Sequence, residues 1–282
     1  MQKPLVAVQM IIFGDEVEKH GFRKVLEYVS KLGVKEIELS KVPVNKDTVP
    51  EIEALCKELG LHSCAMNAAF DPGAQLNVTE NLDEIAEYAN RLDCGYVRIG
   101  SLPNWVYGKE EAHLRYAEKL EAFGKRFAKY GIKFYHHHHE FEFQRYNGKY
   151  GMEILMENTS PQYVGFEMDT HWLQFAGLDP VTWIHRMKGR ADLVHLKDYR
   201  IVMPPEGVSG EVTSPKEVRK KVVQFAEIGT GSLNMPAIIN ACIETGVKYM
   251  PIEQDTSYDL SPYDSIRTSA ENIRKMGFEN LF

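Results

Sequence analysis

The chain alternates short β-branched runs with longer amphipathic stretches eight times over, and that rhythm constrains its fold more than any other feature. Strand-like runs stand at Leu5–Met10, Glu36–Leu39, Leu61–Met66, Tyr96–Gly100, Ile132–His139, Val164–Asp169, Leu193–Asp198 and Tyr249–Gln254. Each is followed by a stretch with helical spacing of apolar residues. Val17–Leu32, for example, sets Phe22, Val25, Leu26, Val29 and Leu32 at that spacing and stops at Gly33. The others are Thr48–Leu59, Val78–Leu92, Glu110–Tyr130, Met152–Asn158, Pro180–Met187, Met235–Thr245 and Ser261–Met276. Eight strand-then-helix units without a composition break predict an α/β chain folded as a (β/α)8 TIM barrel, one domain over residues 1–282. A doubly wound open sheet is the main alternative. It rarely runs to eight regular units and usually shows an early Gly-rich phosphate turn, and neither GxGxxG nor GxxxxGK[ST] occurs.

One segment breaks the rhythm. Tyr199–Phe225 is too long for an ordinary connection and follows the seventh strand, so a barrel would carry it on the catalytic face. It reads equally as a surface insertion with a basic patch (Lys216, Arg219, Lys220, Lys221) and as a lid or subunit-contact loop.

Composition excludes several function classes. Lys and Arg total 33 against 40 Asp and Glu, a net charge of −7, which disfavours nucleic acid as a partner. No run approaches the ~20 apolar residues of a membrane span. The four cysteines (Cys56, Cys64, Cys94, Cys242) lie far apart with no CxxC pair and read as small core residues. With no clean secretory cleavage site, a reduced, cytoplasmic protein is the simplest expectation.

In a barrel, catalytic groups stand at the carboxyl ends of the strands. The fifth strand ends in HHHHEFEF, the sixth in FEMDTHW, the seventh in LVHLKDY and the eighth in PIEQD. Asp169, His195 and Glu253 thus stand on neighbouring strands and, if they face inward, share one space with a donor from the fifth. A cage of mostly oxygen ligands with an imidazole suits Mn²⁺ or Mg²⁺, with Co²⁺ or Zn²⁺ also admissible. Any one such residue is more often a loop cap; four in register on adjacent strands are harder to explain that way. Within the histidine run, alternation sends His137 and His139 to one face and His136 and His138 to the other.

These motifs resemble the sugar isomerase and epimerase superfamily with the xylose-isomerase-like TIM barrel, which also contains endonuclease IV and inosose dehydratases. HHHHEFEF is similar to a YHNHxxEF form found in one branch. DTHWLQFAGLDP, GRADLVHLKDYR, QFAEIGTGSLNM and PIEQD look like that branch's later motifs in the same order. The resemblance implies a divalent metal, most readily Mn²⁺, held by an acid from the fifth strand with Asp169, His195 and Glu253. The superfamily's usual fifth-strand glutamate is replaced here by His137. Glu142, five residues on, is the expected carboxylate, and direct ligation by His137 is the alternative.

Such a site suits proton abstraction beside a sugar carbonyl, with Glu253 as metal-side base and His137 or His139 as its partner. Lys197 shares the face of His195 and either polarises a substrate oxygen or forms an ion pair with Asp198 or Glu167. Phe70, Trp105 and Trp172 are candidate apolar walls. The expected function is a metal-dependent sugar isomerase or epimerase on a small sugar substrate. Elimination on 3-oxo-glycosides by a subunit with a small partner chain, an endonuclease-IV-like phosphodiesterase and a non-catalytic sugar-binding barrel are the alternatives. Homo-oligomerisation is left open by the sequence.

Overall fold

The computed structural model describes residues 3–70, 73–203 and 222–282. Its centre is a parallel sheet of eight strands: Leu5–Gln9, Glu36–Leu39, His62–Ala68, Tyr96–Ile99, Lys133–His137, Val164–Asp169, Val194–His195 and Tyr249–Ile252, here β1 to β8. Consecutive strands pair in parallel from β1 to β7, and β1 also pairs with β8, Leu5 opposite Tyr249. Bridges from Leu193 to Tyr249 and from Leu196 to Ile252 close the remaining gap, so the sheet is a barrel. The expected fold is the observed one.

Alternation along each strand divides the side chains into two environments. Outward residues such as Val8, Ile37, Val97, Phe134, Phe166 and Ile252 pack beneath the surrounding helices in one continuous core. The helices supply matching stripes, for instance Val25, Leu26 and Val29 from Gly14–Lys31. Inward residues form a separate lower cluster of Ala7, Cys64, Ala65, Tyr96, Tyr135 and Leu193. Above it the interior becomes polar, and that upper layer contains the candidate site. The four cysteines are buried and unpaired, as read from their spacing.

Local chemistry sets the element ends. The helix Val49–Leu59 stops where Gly60 adopts a left-handed conformation (φ 65°) and its N–H reaches Cys56 O. Three departures from the sequence reading matter for the site. The fifth strand ends at His137, because Phe141–Phe143 curls into a 3₁₀ turn. A short helix, Thr170–Phe175, follows β6 at once; Asp169 caps it by accepting from Trp172 N. Beyond β7 the chain enters an antiparallel ribbon, Asp198–Ile201 against Val223–Ala226, at the base of the insertion expected over 199–225. Lys216, Arg219, Lys220 and Lys221 lie outside the described residues. Among the described residues, no helix is long and apolar enough to cross a membrane.

Gly165 shows how tightly the lower barrel is filled. A Cβ there would come within 2.2–2.5 Å of three atoms of the Tyr135 ring from the adjacent strand. Gly165→Ala is therefore expected to lower unfolding free energy by about 1–3 kcal/mol, the usual penalty for overpacking. A urea midpoint unchanged from wild type would contradict this packing.

Candidate active site

All eight strands contribute polar side chains to the mouth of the barrel, from Gln9 of β1 to Glu253 at the end of β8. His137, Asp169, His195 and Glu253 are all buried, and each offers a ligand atom within 4.8 Å of the others. The sequence-predicted Asp169, His195 and Glu253 are thus brought together. His137 completes the group in place of Glu142.

Glu142 is fully buried elsewhere. Its Oε1 lies 2.8 Å from His136 Nε2, and its Oε2 accepts from His139 N at 3.0 Å. The 3₁₀ turn after β5 folds the carboxylate back beneath the strand instead of extending it into the mouth. Burial is the largest influence and opposes its charge, but the hydrogen bond from His136 together with the attraction of His136, His138 and His139 leaves its pKa below the usual value. Glu142 therefore anchors the histidine run.

The alternation read into that run holds. His137 and His139 line a cavity of about 310 Å³ together with Lys197 and Glu253. His136 turns under the helix Glu110–Ala128, with Nδ1 3.0 Å from the Tyr116 hydroxyl. His138 accepts from Asp169 N at 3.0 Å through Nε2 and so steadies the neighbouring strand end.

His195 stands between two sets of carboxylates. Its Nε2 lies 2.9 Å from Glu38 Oε2 and 3.1 Å from Glu167 Oε1. Its Nδ1 lies 2.9 Å from Glu253 Oε2 and 3.8 Å from Asp169 Oδ2, yet makes no aligned hydrogen bond. The bond from Nε2 to Glu38 leaves Nδ1 turned toward the cluster. Asp169 divides its oxygens similarly: Oδ1 caps the following helix, while Oδ2 is buried without a hydrogen-bond partner. Buried polar atoms without a hydrogen-bond partner are uncommon and costly. Two of them converging with His137 and Glu253 fit a shared cation.

Electrostatics point the same way. Among the described residues, five carboxylates (Glu38, Glu167, Asp169, Glu253 and the less buried Asp255) face two fixed cations, Arg98 and Lys197. Burial drives the Asp169 pKa well above its ordinary value, with Lys197 opposing and Glu253 reinforcing the rise. Burial and the attraction of Lys197 and His195 act oppositely on Glu253, and attraction wins, holding it well below the carboxylate range. His195 is likewise held well above the histidine value by Glu167, Glu253 and Glu38 despite burial. Burial lowers His139 to about 4, leaving a neutral imidazole at the cavity.

Lys197 is buried, with Nζ 2.7 Å from Asp255 and 3.1 Å from Glu253. The partners considered from sequence are engaged elsewhere. Asp198 accepts from the backbone of Gly229, Gly231 and Leu233, and Glu167 faces Arg98 and His195. Of the proposed apolar walls, Phe70 lines the cavity and Trp172 packs on His139 at 5.0 Å. Trp105 instead packs edge-on against Tyr116.

Sequence reading missed the contributions of β1 to β4. Gln9 donates to Glu253 Oε1 at 2.7 Å. Arg98 bonds Glu38 and Asn67 and lies 2.7 Å from Glu167 Oε2. The signal was present as polar residues at the inward parity of EIEL and YVRI. Glu38, Glu167 and His195 form a second group of ligand type, but the Arg98 guanidinium fills the role a cation would take there. Arg98→Ala should strip two buried carboxylates of their counter-ion and cost about 3–5 kcal/mol. Equilibrium denaturation checks this, and a loss under 1 kcal/mol would show that the pairing is not needed.

A family model for the xylose isomerase-like TIM barrel matches residues 26–276. No curated protein matches the sequence significantly. Among solved structures, a sugar phosphate isomerase/epimerase from Parabacteroides distasonis ATCC 8503 superposes with a TM-score of 0.77 at 18% identity, covering 97% of this chain and 98% of that one. The IOLI protein with a bound zinc atom gives 0.70 at 15% identity, covering 99% of each chain. An L-ribulose 3-epimerase gives 0.69 at 13%, covering 99% of this chain and 95% of that one. At these identities the structural likenesses speak for the fold alone. The family match spans most of the sequence, and the chain belongs to the xylose isomerase-like TIM barrel family.

Proposed function

We propose that this protein is a divalent-metal-dependent sugar isomerase or epimerase that works by moving a proton beside a sugar carbonyl. The observation that carries the reading is the pair of buried side-chain atoms without a hydrogen-bond partner, Asp169 Oδ2 and His195 Nδ1, gathered with His137 and Glu253. These four side chains would hold the ion. Two imidazoles and two carboxylates suit Mn²⁺, with Mg²⁺, Co²⁺ and Zn²⁺ as competitors, and one structural relative carries zinc. When bound, such an ion supplies Lewis-acid stabilisation of negative charge on substrate oxygens.

The chain's own groups supply the rest. His139 is neutral, lines the cavity and lies outside the ligand group, so it removes or returns the α-proton. Glu253, ionised by Lys197 and His195, is the second proton-transfer group on the same cavity. Lys197, fixed by Asp255 and Glu253, meets the charge that develops on the substrate. Gln9 orients Glu253 through its other oxygen. That an L-ribulose 3-epimerase shares the fold accords with a small ketose as substrate.

Elemental analysis of the purified protein should find about one divalent ion per chain, lost in Asp169→Ala and His195→Ala. His137→Ala should lose it too, while Glu142→Gln keeps it; the reverse pattern would restore Glu142 as the fifth-strand ligand. For the chemistry, a panel of ketopentoses and ketohexoses incubated in D₂O should show deuterium uptake at the carbon beside the carbonyl. His139→Ala should retain the metal and slow that uptake by about 10²–10⁴-fold. Full metal occupancy with no uptake from any ketose would refute the isomerase reading.

A further inference from the structure

The chemistry above draws on β5 to β8 and on Gln9 of β1, and leaves the opposite wall of the same cavity unused. That wall is built from the ends of β2, β3 and β4, with Ser40, Asn67 and Ser101 among its polar residues. In a closed ring of eight strands β3 stands four places from β7, so it faces the ligand group across the barrel. A ketose held at the ligand group by its carbonyl end therefore carries its remaining hydroxyls toward β3.

On that wall Asn67 is the side chain whose orientation is fixed. It lies directly opposite Arg98 in the pairing of β3 with β4, and Arg98 Nη1 donates to its Oδ1 at 3.0 Å. A guanidinium has donors and no acceptor, so it meets the carbonyl end of the carboxamide and turns the NH₂ end away. Among the described residues Nδ2 has no hydrogen-bond partner, nor is it sealed from solvent as Asp169 Oδ2 is. Asn67 is half-buried and lines the cavity, so Nδ2 presents free N–H groups to it. Position 100 keeps this arrangement. A Cβ there would lie 2.6 Å from Asn67 Oδ1 and 3.2 Å from Arg98 Nη1, and Gly100 leaves that room to the pair. Arg98 does not need Asn67 for neutrality, since Glu38 and Glu167 already face it. The free end of the carboxamide is a neutral donor, which suits a hydroxyl oxygen.

We infer that Asn67 is a specificity-determining residue, donating a hydrogen bond to a sugar hydroxyl on the carbons beyond the reacting pair. The inference rests on the sugar chemistry proposed above. The test removes the contact from each side in turn. Deuterium uptake by the metal-loaded full chain is measured on the D- and L-ketohexoses, and on the 4-, 5- and 6-deoxy forms of those that exchange. The wild type should turn over one deoxy form with kcat/KM about tenfold lower, the effect of one neutral hydrogen bond. Asn67→Ala should lose about tenfold on the parent ketose, through KM, and lose nothing further on that deoxy form. Its fold and metal content are checked first, and Asn67→Ser takes its place if the alanine variant does not fold. A structural role alone lowers every sugar alike. Equal losses on the parent and on all its deoxy forms, or no loss at all, overturn the assignment. Failure of the underlying reading shows separately in the wild type, as missing metal or no uptake from any ketose, and removes the role of Asn67 with it.

Discussion

The interior of a barrel is a poor solvent for charge, yet among the described residues this one gathers more carboxylates than fixed cations at its mouth. That imbalance organises the site. Arg98 neutralises the lower pair, Glu38 and Glu167, through contacts sealed from water. Lys197 does the same for Glu253 and Asp255 at the upper edge. His195 lies between, committed through Nε2 to the lower set and leaving Nδ1 to the upper one. What stays uncompensated is the space bounded by His137, Asp169, His195 and Glu253. A divalent ion held there would lower that electrostatic cost.

The site follows from strand parity as much as from residue identity. Alternation places Glu167 and Asp169 on the inner face of β6, while Phe166 and Met168 seal the outer face against the helices. One strand thereby serves core and chemistry without compromise to either. The lower barrel, closed by Tyr96, Tyr135 and Leu193, forms a dry floor beneath the charged layer. That floor leaves the barrel open only toward the mouth, and low polarisability around the charges strengthens each pairing.

Much of this was legible before any coordinates. The eight repeats fix the barrel, and the ends of its last three strands carry Asp169, His195, Lys197 and Glu253 where strand parity places them. The histidine run was readable for the same reason, with His137 and His139 inward, His136 turned to Tyr116 of the helix Glu110–Ala128 and His138 to the Asp169 N–H. Parity stops informing where the strand stops. Glu142 lies past the end of β5 in a 3₁₀ turn, and no periodicity tells that its carboxylate folds back onto His136 and the His139 N–H. Gln9, Glu38 and Arg98 escaped for a different reason. A lone polar residue in a short strand looks like an ordinary surface position until the barrel closes and brings it against partners 60 or 244 residues away.

The same closure explains why the segment after β7 belongs to the site. Lys197 lies between β7 and the ribbon Asp198–Ile201, and its ammonium is enclosed by the Phe225 ring at 4.7 Å and the Trp172 ring at 5.2 Å. Phe225 is delivered by the second ribbon strand, registered opposite Tyr199. The ribbon's origin is pinned in turn by Asp198, which gathers the N–H groups of Gly229, Gly231 and Leu233. A Cβ at position 231 would collide with that carboxylate, so the EIGTGSL stretch is shaped to fit it. The insertion thus does more than decorate the barrel's rim. Its base sets an aromatic ring against the ammonium, which bonds Asp255 and Glu253 at the wall of the cavity.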